Sequence, residues 1–331
     1  MKERDVIIKA DNGVGHITLN RPQALHALTY AMCRDMTDAL LAWEVDPAIN
    51  EIIINHSGAR GFCAGGDIRQ LYEGLLAGGQ GVLEFFRTEY RLNHLLFTLR
   101  KPVTCIMDGV VMGGGAGIAL PCRQRVATES TQFAMPETGI GLFPDVGGGW
   151  FLSRLPGRMG EWMALTGARL NGADCLALGL ATSLVPPTSK QSLHINLLSG
   201  TVDRLFSAGR IEDIIDALKS DTSDFAAEQL RIIMKRSPTS CKVALRQLCE
   251  SRKLSQFADN MKMEFRLVAR MLARSDIREG IRAFIIDKDN NPRWSPQHFE
   301  DITAEDIDEI FAPLMETEEW TPLQRAPLHK E

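Results

Sequence analysis

The feature that most constrains this chain is the glycine-rich stretch MDGVVMGGGAG at residues 107–117. A strand-like run, Val103–Met107, leads into it, and a helix-compatible run, Ala116–Leu120, follows. Glycine allows backbone angles closed to other residues and lets a ligand approach the main chain. At a strand-to-helix junction the first N–H groups are unpaired, which suits a phosphate or a developing oxyanion. The stretch therefore predicts a ligand site made of backbone and leaves two ligand types open.

Composition limits the class of protein without identifying the ligand. The chain has 331 residues, 44% of them hydrophobic and 24% charged, and its formal net charge is −5. These fractions are ordinary for a folded globular protein. No basic stripe or tail is present, which argues against nucleic acid as the main partner.

Cysteine usage and hydropathy give expectations about the environment of the protein. The seven cysteines are scattered without a CxxC pair, which predicts reduced thiols and no metal site. No apolar run approaches the roughly 18–20 residues that span a bilayer. The first residues, MKERDVIIKADNG, lack the apolar core of a signal peptide. We therefore expect a cytoplasmic protein without a membrane partner.

Strand and helix patterns alternate along the first half of the chain. A β-hairpin is predicted over 5–19, because Asn12-Gly13 is a strong signal for a hairpin turn. The other predicted elements are helices from near Thr29, over 68–76 and over 81–100, and strands over 51–56, 103–107, 125–128 and 132–134, the last two as a pair. Such alternation is typical of an α/β fold.

The second half is predicted to be mainly helical. Pro186-Pro187 mark a boundary, and 190–285 has helical patterning with one helix start at Ser237-Pro238. A short acidic helix is predicted near 304–312. We therefore expect an α/β core over residues 1–186 and a helical C-terminal region over residues 187–331 that covers it.

Common phosphate-binding and hydrolase motifs do not fit the glycine stretch. A P-loop needs Lys and then Ser or Thr after the glycines, but Gly117 is followed by Ile118-Ala119. A dinucleotide fingerprint needs glycine or alanine three residues after its G-x-G, and neither G-x-G here has one. The sequence also lacks the G-x-S-x-G and H-E-x-x-H motifs. An oxyanion is therefore the better-supported ligand.

A second glycine loop and two carboxylates are candidates for the rest of the site. Gly66, in the stretch FCAGGDI at 62–68, and Gly114 could supply the two N–H donors that an oxyanion hole needs. Glu137 and Asp145 each follow a proline in apolar or glycine-rich surroundings, which raise a carboxyl pKa. The alternatives are glycines that only make turns, a helix N-cap for Asp145, a surface charge for Glu137 and a solvated helix face for Glu89.

Together these motifs resemble the crotonase (enoyl-CoA hydratase/isomerase) superfamily. The matching stretches are NRPQAL at 20–25, FCAGGDI at 62–68, MGGG at 112–115 and PETGIGLFPDVGG at 136–148. Further stretches, RTEY at 87–90 and EGIRA at 279–283, are similar to the branch that hydrolyses hydroxyacyl-CoA thioesters. The resemblance implies an α/β fold, a crotonase-like spiral of repeated ββα units with a C-terminal helical region. It also implies an acyl-CoA substrate, no separate cofactor and, since superfamily members often form trimers, room for a homo-oligomer.

The resemblance also implies a role for each candidate residue. The thioester carbonyl oxygen would lie between the N–H groups of Gly66 and Gly114. Glu137 would be the principal catalytic carboxylate, either attacking the thioester carbon or activating water, and Asp145 would orient it or relay protons. The substrate-binding residues would be Glu89 in the acyl pocket and Ala64, Asp67 and Ile68 beside the CoA.

Departures from the superfamily pattern indicate which reaction to expect. Hydratases of the superfamily carry a second catalytic glutamate three residues after the central oxyanion glycine, where this chain has Gly117. Asp145 stands where hydratases have a small residue. Both differences favour hydrolysis of a short branched hydroxyacyl-CoA, such as 3-hydroxyisobutyryl-CoA in valine breakdown. An enoyl-CoA hydratase or isomerase that uses Glu137 alone is the alternative. Asp108 stands where the hydrolase branch more often has histidine.

Overall fold

The main sheet starts with the hairpin that the Asn-Gly signal predicts. The structure is a computed structural model that describes residues 4–58, 60–79, 81–186 and 193–325. Strand β1 (Val6–Asp11) pairs antiparallel with β2 (Val14–Leu19). Asn12 and Gly13 have φ values of 49° and 82°. Two successive positive φ values are typical of a tight two-residue hairpin turn, so the prediction is confirmed.

The strands of the described residues form two sheets. The remaining strands are β3 (Glu51–His56), β4 (Val103–Met107), β5 (Val110–Met112), β6 (Gln124–Thr128), β7 (Gln132–Ala134), β8 (Leu170–Asn171) and β9 (Ser183–Val185). The larger sheet has the order β1-β2-β3-β4-β6-β9 and is parallel from β2 onward. The smaller sheet has the order β5-β7-β8. The strand pair predicted at 125–128 and 132–134 is therefore wrong as a pair, because β6 and β7 belong to different sheets.

Between β6 and β7 the chain leaves the large sheet and enters the small sheet, so the two strands do not form a hairpin. The Thr131 hydroxyl donates to the Met107 carbonyl oxygen at 2.6 Å and accepts from the Thr128 N–H at 2.8 Å. These two bonds direct β7 toward β5, where Val111 lies opposite Phe133. Two successive passes of the chain, β4 with β5 and β6 with β7, thus each add one strand to the large sheet and one to the small sheet, and a helix follows each pass. This is the ββα spiral that the resemblance implies.

Helices surround the sheets. The helices are α1 (Tyr30–Val45), α2 (Ile68–Leu76), α3 (Val82–Thr98), α4 (Gly114–Ala119), α5 (Gly148–Leu152), α6 (Met159–Thr166), α7 (Gly172–Ala177), α8 (Leu193–Leu205), α9 (Ile211–Ser220), α10 (Asp224–Ile233), α11 (Pro238–Lys253), α12 (Phe257–Met271), α13 (Ser275–Ile281) and α14 (Ala304–Phe311). A π-helical turn, Arg282–Ile286, continues α13. None of the helices in the described residues is long and apolar enough to cross a membrane.

Two helix starts agree with their capping signals. The Thr29 hydroxyl accepts the Met32 N–H at 3.2 Å, and the Ser237 hydroxyl accepts the Ser240 N–H at 3.1 Å, with Pro238 as the first helical residue. The helical character predicted for 190–285 is confirmed from Leu193 onward. Pro187 and the start of the predicted C-terminal region lie outside the described residues, so that boundary stays a prediction.

The C-terminal helices pack on the helices of the spiral. Helix α12 contacts α3, and α11 contacts α5 and α6. Side chains of the C-terminal half therefore reach the spiral directly.

All seven cysteines are free thiols, as predicted, and Cys249 is the exposed one.

A C-terminal strap, residues 313–325, crosses helix α3. The Arg87 guanidinium donates to the Glu318 carbonyl at 2.8 Å and to the Glu319 carbonyl at 3.0 Å. The Trp320 side chain is 1% exposed, and its indole N–H donates to the Arg87 carbonyl. The strap therefore fixes the helix that carries Glu89.

Replacing Trp320 with Ala is expected to lower the free energy of unfolding by about 3–5 kcal/mol, because it removes a fully buried aromatic side chain. Urea unfolding followed by circular dichroism would measure the loss. Met315 lies in the same strap and is 67% exposed, so Met315→Ala is the matched control, with a change within about 0.5 kcal/mol. Equal effects of the two substitutions would contradict a structural role for the strap.

Candidate active site

The spiral brings three chain segments to one edge of the small sheet. Residues 61–63 bridge to β5, with Cys63 opposite Val111, and Met112 on β5 lies opposite Ala134 on β7. Each of the three segments continues directly into a candidate residue. Gly66 follows the first, Gly114 follows β5 and Glu137 follows β7. Carboxyl ends of neighbouring parallel strands share one edge, which is where ligands bind in α/β proteins.

Two backbone N–H groups are available at this edge. The Leu28 N–H donates to the Gly65 carbonyl and the Asp67 N–H donates to the Leu28 carbonyl, both at 2.8 Å. Gly66 lies between these two bonds, and Gly114 is the first residue of α4. Neither the Gly66 nor the Gly114 N–H donates a hydrogen bond within the described part of the chain. A Cβ built on Gly114 would lie 3.3 Å from the Gly66 nitrogen, so the two donors are neighbours.

Glu137 faces this pair of glycines with an unpaired carboxylate. It is 5% exposed, and neither of its oxygens has a hydrogen-bond partner in the described residues. A Cβ built on Gly113 would lie 3.1 Å from its Oε1 atom. Burial raises the pKa of Glu137 well above its ordinary range, and Asp145 raises it further, while Arg236 lowers it. The surface-charge alternative for Glu137 is therefore wrong.

Asp145 is buried beside a tyrosine on helix α3. The Tyr90 hydroxyl donates to Asp145 Oδ2 at 2.8 Å. Burial raises the pKa of Asp145 to about 7, although the Tyr90 hydrogen bond lowers it. The N-cap alternative for Asp145 is wrong, because α5 is capped by Gly147 and the Asp145 side chain bonds to the tyrosine instead.

The raised pKa of Asp145 predicts a pH-dependent stability. Its ordinary value is 3.8, so between about pH 4 and pH 7 the unfolded chain has lost a proton that the folded protein keeps. The free energy of unfolding should therefore fall as pH rises, by about 1.4 kcal/mol per pH unit for this group. Unfolding in urea at several pH values would measure the slope. Asp145→Asn should be less steep by that amount, and parallel slopes would contradict the assignment.

A cavity of 390 Å³ collects the candidate residues. Its lining includes all eight of them, namely Ala64, Gly66, Asp67, Ile68, Glu89, Gly114, Glu137 and Asp145. Glu89 is 2% exposed and its Oε1 atom has no hydrogen-bond partner in the described residues, so the solvated-face alternative is wrong. Asp67 borders the cavity but its carboxylate is engaged, since it pairs with Arg21 at 2.7 Å and caps α2 by accepting the Gln70 N–H.

Comparisons with known proteins agree with this geometry. The family model described as "Enoyl-CoA hydratase/isomerase" matches residues 14–201 and 187–311. A 3-hydroxyisobutyryl-CoA hydrolase from Gallus gallus is 41% identical, and the alignment covers 94% of this chain and 89% of the relative. A probable 3-hydroxyisobutyryl-CoA hydrolase from Arabidopsis thaliana is 37% identical over 98% of this chain and 96% of its own. The chain belongs to the enoyl-CoA hydratase/isomerase family.

Solved structures of this family share the fold over nearly the whole chain. A carnitinyl-CoA dehydratase from Mycobacterium thermoresistibile has a TM-score of 0.92 and 35% identity, covering 96% of this chain and 99% of its own. An enoyl-CoA hydratase from Rhodobacter sphaeroides has the same TM-score and identity, covering 96% and 100%. The predicted crotonase fold is confirmed.

This family member has no room for a second glutamate at position 117. A Cβ built on Gly117 would lie 2.6 Å from Val146 Cβ and 3.0 Å from the Asn93 amide nitrogen. The Asn93 amide also donates to the Gly117 carbonyl at 2.9 Å. Any side chain at this position would therefore displace the Val146 loop. The packing around position 117 therefore accommodates glycine and leaves no space for a glutamate side chain.

Several residues of the site are not apparent in the sequence. Arg169, Arg236 and Phe284 also line the cavity, the last two from the C-terminal half. The Arg236 guanidinium donates to the Thr166 carbonyl, and its buried Nε has no partner in the described residues. Their positions depend on long-range packing, which leaves no local motif.

Asp108, which stands where the sequence comparison with the hydrolase branch more often expects histidine, does not line the cavity.

Proposed function

We propose that the protein hydrolyses the thioester of a short branched hydroxyacyl-CoA, with 3-hydroxyisobutyryl-CoA as the leading substrate. The observation that carries the proposal is the unpaired Glu137 carboxylate facing two free backbone N–H groups while position 117 is closed to a second carboxylate. Addition of water to a double bond in hydratases relies on two glutamates, as the resemblance implies. Thioester cleavage needs one carboxylate and an oxyanion hole.

In the proposed reaction, the thioester carbonyl oxygen accepts hydrogen bonds from the Gly66 and Gly114 N–H groups. These donors stabilise the negative charge that develops when the carbonyl carbon is attacked. Glu137 either attacks that carbon itself or takes a proton from the attacking water. The C–S bond then breaks, and CoA leaves as a thiolate that takes up a proton. If Glu137 activates water, the hydroxy acid forms in this step. If Glu137 attacks the carbon itself, the acyl group is left on Glu137 as a mixed anhydride, which water then hydrolyses to the hydroxy acid and the free Glu137 carboxylate. Asp145, held by Tyr90, serves as the second proton-exchanging group.

The names of the relatives support this choice of reaction, and those of the solved structures favour the alternative. Relatives from Homo sapiens and Gallus gallus, each 41% identical, are both named 3-hydroxyisobutyryl-CoA hydrolase. The two structures with a TM-score of 0.92 are named as a dehydratase and a hydratase. Enoyl-CoA hydration by Glu137 alone is therefore the second candidate function. The lack of a separate cofactor, a cytoplasmic location and a homo-oligomeric assembly stay predictions.

A direct comparison of two assays tests the proposal. Thiol release from 3-hydroxyisobutyryl-CoA, followed with a thiol reagent, should exceed hydration of crotonyl-CoA, followed by loss of the enoyl absorbance. Isobutyryl-CoA and acetyl-CoA complete the panel and show whether the hydroxyl group and the branch are required. Faster hydration than thiol release would decide for the alternative.

A further inference from the structure

The loop that carries Asp145 contains a strained residue. Val146 has a φ of 53°. A β-branched side chain rarely adopts this left-handed conformation, which persists only where the surroundings enforce it. Val146 also fills the space beside Gly117, as its Cβ position shows. The strained residue is adjacent to Asp145, so contacts from the surrounding structure must hold the loop in this conformation.

Glu264 on helix α12 supplies this restraint. It is fully buried, and its two oxygens accept backbone N–H groups from the end of the loop, Gly147 at 2.7 Å, and from the first turn of α5, Gly149 at 2.9 Å. The Asn260 and Gln247 side-chain amides also donate to its Oε1 atom, at 2.8 and 3.0 Å. A buried carboxylate with four N–H donors is a strong and directional anchor.

The anchors lie on both sides of Asp145. Gln247 also donates to the Pro144 carbonyl at 2.8 Å, just before the aspartate, while Glu264 binds the Gly147 N–H just after it. A Cβ built on Gly149 would lie 2.5 Å from the Ser251 hydroxyl oxygen, so the loop sits closely against helix α11. The loop is therefore fixed by the C-terminal helices, not by its own sequence alone.

We propose that Glu264 is a positioning residue for the hydrolysis proposed above, on which this inference rests. Glu264 holds the strained loop so that the Asp145 carboxylate meets Tyr90 at the cavity. A carboxylate fits this role because two backbone N–H groups need two acceptors. A glutamine side chain offers one acceptor and two donors, so Glu264→Gln must leave one loop N–H without its partner.

Glu264→Gln should lower kcat about 10- to 100-fold, because a displacement on the order of 1 Å near the chemistry has effects of this size. KM should change less than about threefold, since the residue does not touch the substrate. Amide hydrogen exchange in residues 144–150 should become faster. The matched control is Glu161→Gln, a buried glutamate that pairs with Arg158 and Arg252 at 2.9 Å and does not contact the loop. The control should keep kcat within about twofold of the unchanged protein.

If Glu264→Gln does not fold, Asn260→Ala is the second variant. Asn260→Ala removes one hydrogen-bond donor from the Glu264 carboxylate. It should lower kcat by less than the loss expected for Glu264→Gln, and amide hydrogen exchange in the loop should again become faster. Unchanged kcat in a folded Glu264→Gln protein would overturn the inference, as would equal losses of kcat in Glu264→Gln and Glu161→Gln. Absence of thiol release by the unchanged protein would overturn the proposed function. In that case exchange in 144–150 still decides whether Glu264 holds the loop, and unaltered exchange would refute it.

Discussion

Glu137→Gln is expected to abolish measurable thiol release from 3-hydroxyisobutyryl-CoA. The amide has nearly the shape of the carboxylate but neither attacks a carbonyl carbon nor accepts a proton from water. The size of the loss carries mechanistic information. Removing a general base typically costs about 10²–10⁴ in rate, whereas removing a nucleophile costs up to about 10⁶. Single-turnover hydrolysis in ¹⁸O-labelled water separates the two roles, because only a nucleophilic Glu137 would itself acquire the label.

The variant should remain folded, which makes its activity interpretable. Both Glu137 oxygens are buried without a partner in the described residues, and a buried polar group in that state costs stability. The glutamine amide has nearly the size and shape of the carboxyl group that it replaces, so urea unfolding should show no loss of stability. Full activity in Glu137→Gln would refute the proposed function.

Asp145→Ala should also reduce thiol release strongly, because it removes the partner of Tyr90.

The sequence allowed prediction of the parts of the site that depend on local patterns. Gly66 and Gly114 follow strand-like runs, and each is at the start of a turn toward a helix, so their free N–H groups could be anticipated. The hairpin at Asn12-Gly13 and the helix start at Thr29 have equally local causes. The family prediction, which rested on these motifs together, is confirmed by the matching family model.

Residues that reach the site through long-range packing could not be predicted in this way. Tyr90 has no signal that links it to Asp145, 55 residues further on, although the two share a hydrogen bond. Glu264 is 117 residues away from Gly147 along the chain, and in the sequence it looks like any helical glutamate. Strand β5 was also missed, since Val110–Met112 has only three residues between glycines. Local patterning does not say which side chains the spiral brings together.

Hydratase-named and hydrolase-named relatives share one fold, so the reaction depends on a few positions. In this chain the spiral places two free N–H groups beside Glu137, and either candidate reaction would use them. The resemblance implies a second catalytic glutamate at position 117 in hydratases, whereas here Val146 occupies the space that such a side chain would need. Asp145 is adjacent to Val146 in the sequence. The same loop therefore closes position 117 to a carboxylate and supplies a different one, that of Asp145. In the proposed mechanism Glu264 connects the C-terminal helices to the position of Asp145, through its hydrogen bonds with the Gly147 and Gly149 N–H groups.

Gly114→Ala is expected to lower kcat by about 10²–10³, the usual effect of disabling one oxyanion-hole donor, because the added methyl group blocks the oxyanion position although the backbone N–H of residue 114 remains. A Cβ at this position would lie 2.4 Å from Glu89 Oε1 and 3.0 Å from Leu28 Cδ1, and 3.3 Å from the Gly66 nitrogen. The methyl group would therefore occupy the space between the two donors and push the buried Glu89 aside. Gly66→Ala is the matched control, because its Cβ would meet only the Phe85 ring, at 3.4 Å, an ordinary contact.

The two alanine variants differ by position alone, so their comparison separates blocking of the space between the two donors from general effects of losing a glycine. Both variants keep their backbone N–H groups, but the methyl group of Gly66→Ala would contact only the Phe85 ring. Gly66→Ala should therefore retain kcat within about tenfold, well above the level expected when a donor is blocked. Inhibition by free CoA should be similar in both, since CoA without an acyl group has no thioester carbonyl oxygen to place between Gly66 and Gly114. Equal losses of kcat in the two variants, or weaker CoA binding in step with kcat, would contradict the prediction that a methyl group at position 114 blocks the space between the two donors.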